Sequence, residues 1–411
     1  MTDPDLTRQY DAYPYPARDP REEDSRLLEG SPSHLAELIH HLFGGVWPQA
    51  RPFRALVAGG GTGDALVMLA QHCASAGLDA EITYLDLSAA ARAVAEARIA
   101  RRKLAGVRFA TGSLTDLATL APGPYDYIDC CGVLHHLEDP PAGLKALTAQ
   151  LAPDGGLGLM VYAPQGRTGV YPLQSALRRL AGPELPDRDR VALARALVGG
   201  LPAGNWFRRN PFLGDHQQSD AGLYDLLLHA RDRAYTVPEL AELVAGAGLA
   251  IAGWVPPVRY DPSAVLADGK LTARAQRLDP LAAAALAEEL LGSHKTHVVY
   301  AAPAARGDTV ARPAPDQVPV LREIDGKALA AGFKPGQAIT LDLGGHKARA
   351  PLPDQSGAIF GLIDGQRSLG AIAQALAAAR PNQDPIRLAA QVTELARVLI
   401  RFGKLHLARV S

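Results

Sequence analysis

The sequence predicts an α/β protein: a doubly wound, mostly parallel sheet with a helical cap and a small C-terminal α+β domain. Three observations predict it. Near-continuous apolar segments recur at 54–59, 80–86, 107–111, 125–132 and 155–163, separated by helical stretches such as 88–104 and 140–151. Strands that read this way are covered on both faces, as in parallel sheets. The segment "ALVAGGGTGDALVMLA" (55–70) runs a hydrophobic strand into a glycine-dense turn that opens a helix. That arrangement brings a ligand's polar groups onto backbone N–H donors. The alternation then breaks at 164 and resumes at 236.

The elements follow in order. Residues 1–50 form an N-terminal lid and a helix, "SPSHLAELIHHLFGG", with Ser33 as N-cap, an apolar face of Leu35, Leu38, Ile39, Leu42 and Phe43, and Gly44-Gly45 as its stop. The core occupies 51–163. A helical cap insertion, 164–235, includes "SALRRLAG" and "DRVALARALVGGL". Residues 236–302 complete the sheet. "TVPE" from Thr236 to Glu239 is a capping box with Pro just inside the helix, strands follow at 249–255 and 293–302, and helices are inserted between them. "PAARGDTVARPAPDQ" (303–317) is a Pro/Ala-rich linker to a C-terminal domain, 318–411.

Composition excludes several classes. A chain of 411 residues, 47% hydrophobic, supports sizeable cores. No uncharged apolar run is long enough to span a membrane, and "MTDPDLTRQYDAYPYP" is acidic and aromatic where a signal peptide is basic and then apolar. A cytoplasmic protein without membrane partners is expected. Cys73, Cys130 and Cys131 form no C-x-x-C and read as buried small hydrophobes, so no metal site is expected. A net charge of −1 argues against wholesale nucleic-acid binding. Its distribution is uneven, because 318–411 holds 12 Lys+Arg against 7 Asp+Glu, and the remainder 30 against 36. A basic domain docked on an acidic body and a separate interaction surface are the two readings.

Spacing discriminates among cofactors. A dinucleotide fingerprint with Gly59 and Gly61 in its first two places would put its third glycine on Asp64, whose carboxylate would face a pyrophosphate. This disfavours a nucleotide-dependent oxidoreductase. No Gly-Lys-Ser/Thr follows, which excludes a Walker A loop. The chain has instead G-x-G-x-G at Gly59, Gly61 and Gly63, with Asp86 ending the next strand, placed to accept hydrogen bonds from two ribose hydroxyls.

Here the chain resembles the class I S-adenosylmethionine-dependent methyltransferases, over 54–163 with a return at 236–302. The resemblance implies a Rossmann-like seven-stranded sheet and S-adenosylmethionine as cofactor. "VAGGGTGD" resembles the family's first motif, so Gly59, Gly61 and Gly63 are implied to let the backbone approach the cofactor. Asp86 in "YLDLS" is implied to hold the ribose, Leu87 to touch the adenine, and Ser113 and Leu114 in "TGSLTDL" to border it. "CCGVLHHLEDP" (130–140) resembles the fourth-strand motif, which puts Cys131 beside the transferable methyl. One departure stands out: two residues before the first motif glycine, where the family carries Asp or Glu to support the methionyl ammonium, this chain has Val57. Segments 10–20, 161–178 and 226–240 are similar to parts of bacterial methyltransferases fused to other domains. In the first of them Tyr10, Tyr13 and Tyr15 are lid candidates, with Tyr15 assigned to the cofactor. "GAIFGLIDGQRSLGAIAQALAAA" (357–379) and the helix after it resemble winged-helix-like modules of the PqqD type, which bind peptides.

Methyl transfer from a sulfonium is an in-line displacement that asks for positioning, exclusion of water and, where the acceptor loses a proton, a general base. Asp129, His135, His136 and Tyr162 lie past or near the carboxyl ends of strands, where ligands of open α/β sheets bind. Asp129, His135 and Tyr162 are taken as the catalytic candidates. Asp129 is a carboxylate in an otherwise apolar strand. The expected activity is methylation of a nucleophilic N or O acceptor on a protein or peptide. A small-molecule acceptor or a non-catalytic cofactor-binding scaffold is the alternative, and homodimerisation is the alternative role for the C-terminal domain.

Overall fold

Side chains alternating between two apolar layers build the centre of the molecule. The computed structural model describes residues 16–47, 51–182 and 184–410. Strands β1 (Phe53–Ala58), β2 (Ala80–Asp86), β3 (Val107–Thr111), β4 (Tyr125–Cys131), β5 (Leu151–Tyr162), β6 (Leu249–Trp254) and β7 (Thr296–Pro303) form one sheet in the order β3-β2-β1-β4-β5-β7-β6. The first five run parallel, and β7 is antiparallel to both its neighbours. Along β1, Ala55 and Val57 enter one core with Tyr84 and Tyr127, while Leu56 and Ala58 enter the other with Ile128 and Leu159. That is the two-residue period of a strand buried on both faces. The predicted doubly wound, seven-stranded class I fold is what forms.

Helix α1 (Leu35–Leu42) covers the first face with Leu38, Ile39 and Leu42 fully buried. Its start corrects the sequence reading. The N-cap is His34, which makes no side-chain cap bond, and Ser33 sits before it at φ 84° with its hydroxyl turned into the protein. Helices α2 (Asp64–Ser75), α3 (Ala89–Arg101) and α4 (Pro140–Thr148) complete the crossovers. α3 is capped by Ser88 and α4 by Asp139 with Pro in its first turn. The capping box at Thr236 and Glu239 opens helix α5 (Val237–Gly246) as read.

The cap, 164–235, holds its own apolar cluster, in which Val170, Leu177, Val191 and Phe207 pack on the π-helical turn Tyr224–Leu228. The C-terminal domain has another. Strand Pro319–Leu321 pairs antiparallel with Leu405–Leu407, Ala338–Asp342 pairs with Lys347–Pro351, and helices Leu369–Ala378 and Pro385–Arg401 pack together through Ile372, Leu376, Leu395 and Leu399.

Residues 303–317 are not a free linker. Ala311 N–H donates to His40 O and Gly44 N–H to Thr309 O, while Arg306 donates to the carbonyls of Gly155 and Leu42. The segment is a strap bound across α1. Beyond it, Arg322 reaches Glu37 of α1 at 2.5 Å, Arg401 reaches Asp261 at 2.7 Å, and Val46–Trp47 pairs parallel with Arg409–Val410. Basic side chains of the domain thus meet acidic ones of the body. Among the described residues no helix is long and apolar enough to cross a membrane.

Candidate active site

A cavity of about 340 Å³ opens at the carboxyl ends of β1, β2 and β4. The glycine turn forms one wall. Gly59 and Gly61 have φ of 72° and 50°, a region that favours glycine, and a Cβ on Gly59 would lie 2.3 Å from Val133. Gly61 N–H donates to Asp86 Oδ2 at 2.7 Å and Ser88 N–H to Oδ1 at 2.8 Å, so the acid at the end of β2 is held by backbone on both oxygens. The Tyr84 hydroxyl donates to Gly61 O at 2.6 Å. Leu87, Ser113, Leu114 and Cys131 line the same cavity. Gly63 does not line it: it is the N-cap of α2, where an added Cβ would sit 3.0 Å from Ala95. Its role is close packing of α2 on α3.

Asp64, the residue that breaks the dinucleotide pattern, opens α2 and lines the cavity. Its carboxylate accepts from Arg18 at 2.6 Å and from Arg98 at 2.7 Å. Burial pushes the carboxyl up, but these two guanidinium groups outweigh it and hold it below its ordinary value. Arg98, 1% exposed, also pairs with Glu23, so residues 16–24 are fastened at the cavity mouth, where Pro16 lines the wall. Tyr10, Tyr13 and Tyr15 lie outside the described residues.

Asp129 is buried in the cavity wall in register with Val57 of β1. Its carboxylate accepts from Ser33 Oγ at 2.8 Å, and Ser33 Oγ lies 3.0 Å from the Tyr127 hydroxyl. Burial pushes the acid up to about 7, against hydrogen bonds from Ser33 and the backbone of Cys131 that favour the charged form.

On the cap side, Tyr162 donates its hydroxyl to Asp225 Oδ2 at 2.9 Å, and the Arg167 guanidinium stacks over its ring at 3.7 Å. Arg167 is itself fixed by Asp232 at 2.7 Å. His136 lines the cavity and its Nδ1 lies 2.7 Å from Arg231 O. A carbonyl only accepts, so Nδ1 carries the proton and Nε2 holds the lone pair. Burial keeps the ring's pKa below its ordinary value, with Asp225 opposing. His136, Asp225 and His229 bring ligand atoms within 4.8 Å of one another, close enough to hold a metal. However, Arg231 N–H donates to His229 Nδ1, which leaves the proton of that neutral ring on Nε2. The three groups suit a hydrogen-bonded network better than a metal.

Residues 56–157 match a family described as a methyltransferase domain. That stretch is a methyltransferase domain by this match, set in a sheet of the class I fold. Its fold is similar to that of PKMT2 from Rickettsia typhi, at 16% identity with a TM-score of 0.61, covering 91% of this chain and 74% of that one. The same protein in complex with AdoHcy gives a TM-score of 0.60 over 92% and 76%. An uncharacterized Synechococcus protein, syc1184_c, is 37% identical over 262 residues, 62% of this chain and 60% of that protein's length.

Around the methyltransferase domain the structure gathers Gly59, Gly61, Asp86, Leu87, Ser113, Leu114, Asp129, Cys131 and Tyr162 at one cavity. It separates His135 from them. That ring is 1% exposed, neither nitrogen has a hydrogen-bond partner among the described residues, and it packs on Tyr162 at 3.9 Å. Burial drives its pKa well down, so His135 is a neutral filler behind the wall, and the group facing the cavity is its neighbour His136. Sequence reasoning also missed Asp225 and Ser33. Asp225 was detectable on the criterion that singled out Asp129, a lone acid in the apolar run "LYDLLLHA". Ser33 was not, because its partner lies 96 residues away.

Proposed function

We propose that the protein transfers the methyl group of S-adenosylmethionine to a nitrogen or oxygen acceptor on a protein or peptide. The observation that carries the reaction is His136, whose Nδ1 proton is held by Arg231 O, lining the same cavity as Tyr162, Asp225 and the glycine turn. A base there takes the proton that an N or O acceptor must lose.

The residues present fit the cofactor. Asp86 lines the cavity with its carboxylate oriented by the N–H groups of Gly61 and Ser88, and would accept hydrogen bonds from ribose hydroxyls. Asp129 stands beside Val57 and lines the cavity, and its carboxylate would take the place of the acid missing there in holding the methionyl ammonium. Leu87, Ser113 and Leu114 line the cavity where they would hold the adenine. When bound, S-adenosylmethionine supplies an electrophilic methyl on a sulfonium. The chain's own work is to orient: Tyr162, locked by Asp225 and Arg167, narrows the approach, and the cap excludes water.

The protein or peptide acceptor is supported by the C-terminal domain's resemblance to peptide-binding modules and by its cationic excess. A small-molecule acceptor is the second reading, favoured by Asp225, which brings the cap onto the cavity. Incubation of the full chain with labelled S-adenosylmethionine and cell extract, fractionated by size, tests both. Label in macromolecules that His136→Asn abolishes supports the first reading, and label confined to metabolites the second. No label despite S-adenosylhomocysteine binding would leave a non-catalytic scaffold.

A further inference from the structure

We infer that the cleft between the sheet and the C-terminal domain is a second ligand site, built for a small molecule that carries a carboxylate or phosphate on an apolar body. The inference goes beyond methyl transfer and does not rest on it.

The cleft encloses about 570 Å³, within the ~300–1,000 Å³ of ordinary ligand pockets. Its walls are apolar at Phe212, Val255 and Phe402, contributed by the cap, the segment after β6 and the C-terminal domain. Four cations face it, Arg259, Lys295, Arg322 and Lys404, against one carboxylate, Glu323. Glu323 is already engaged by Lys404 at 3.1 Å.

One of the cations lacks the ion-pair partner that a cation taken out of water ordinarily has, and a second keeps an unused N–H although it is ion-paired. Arg259 is half-buried. Its hydrogen-bond partner is the Ser293 hydroxyl at 3.1 Å, and among the described residues it forms no ion pair. Arg322 is 9% exposed. Its Nη1 is used by Glu37 and Ser31, but its Nε makes no hydrogen bond among the described residues, and a Glu323 oxygen stands 3.4 Å off. Lys295 is exposed at the rim and forms no ion pair among the described residues. An anionic group between Arg259, Lys295 and Arg322 supplies what these donors lack, and the apolar walls take the body attached to it. The site is distinct from the cofactor cavity, although the two share a wall: Val298, which lines the cleft, pairs across the strands with Met160, which lines the cavity.

Calorimetric titration of the full chain with 1-naphthyl phosphate, 1-naphthoate and the neutral 1-naphthalenemethanol tests the inference. At least one anion is expected to bind, with the alcohol about tenfold weaker or more. The stronger of the two anions identifies the headgroup. Arg259→Met is expected to weaken that anion about tenfold. Lys295→Met, an exposed position that leaves folding intact, is expected to weaken it and flatten its salt dependence. Saturating S-adenosylhomocysteine should not displace the anion. Equal binding of all three probes, binding of none, unchanged affinity in Lys295→Met, or displacement by S-adenosylhomocysteine would overturn the site. Failure of S-adenosylhomocysteine to bind while the anion still does would count against the methyltransferase reading alone.

Discussion

Val57 and Asp129 stand side by side in the parallel ladder between β1 and β4. A carboxylate therefore stands one strand over from the position where the resemblance expects an acid, at the same level of the sheet. A carboxyl pushed up to about 7 from 3.8 has its folded value above its unfolded one. Its contribution to stability is fully present below the unfolded value and is lost as pH rises toward 7. Asp129→Asn, which still accepts from Ser33, is expected to flatten that dependence and to be more stable than wild type at alkaline pH in thermal melts. Bound ammonium acts in the opposite direction. Wild-type affinity for S-adenosylhomocysteine is expected to rise between about pH 5.5 and about pH 7.5, with the Asn variant flat.

Asp86, the carboxylate proposed to hold the ribose, also fixes the N–H of Gly61. Asp86→Ala should weaken S-adenosylhomocysteine binding at least about tenfold while the fold survives, given ~1.5–3 kcal/mol per charge-assisted bond. Gly61→Val, which puts a β-branched residue at φ 50°, should abolish binding. Calorimetry on both variants checks the pair. Wild-type affinity in either would remove this turn from the cofactor site.

His136 and His135 are neighbours in sequence with different surroundings. His136→Asn is expected to lower kcat by roughly 10²–10⁴-fold with S-adenosylhomocysteine affinity retained. His135→Phe, which replaces a ring making no hydrogen bonds, should turn over at close to the wild-type rate. Single-turnover kinetics on the two variants would reveal a reversal of roles.

Glu37 is fully buried, and Arg322 of the C-terminal domain supplies its countercharge, joined by the hydroxyls of Ser31 and Tyr300. Removing one partner of such a pair costs about 3–5 kcal/mol. Arg322→Met is expected to lose stability of that order in urea unfolding, and Glu37→Gln with Arg322→Met to recover most of it. Additive losses in the double variant would show that the two charges are not coupled.

Acid should loosen the same interface. Burial lowers His34 to about 3 and His40 to about 4, and holds His41 and His406 well below their ordinary value of 6.5. The unfolded chain binds these protons first, so the stability they contribute is present above 6.5 and is lost as pH falls through the folded values. Denaturant midpoints are expected to fall between about pH 6.5 and about pH 4, and less so in His406→Phe.

The sequence was most legible where structure is local. The capping box at Thr236 and Glu239 spans three residues, and the strands carry their burial in their own composition, so both were readable. The place of Asp86 on the cavity wall was readable because it ends a strand next to a glycine turn. Ser33 looked like a helix cap because the local pattern fits one, but a buried acid on β4 claims its hydroxyl. The strap at 303–317 looked like a linker because Pro and Ala carry no sign of the backbone bonds they will make with α1. Asp225 acquires its meaning only when the cap folds over Tyr162.

The position of β7 between β5 and β6 has a consequence for biosynthesis. A chain emerging from the ribosome delivers β6 before the strand that must separate it from β5, so the edge of β5 stays open until residue 303 is out. Glu37, made early, then waits for Arg322. Through that interval the nascent protein presents an unpaired apolar strand and an uncompensated buried acid, the two features that invite misassembly and chaperone capture. Arrested nascent chains should change from protease-sensitive to protease-resistant only when the halt site is moved beyond Arg322.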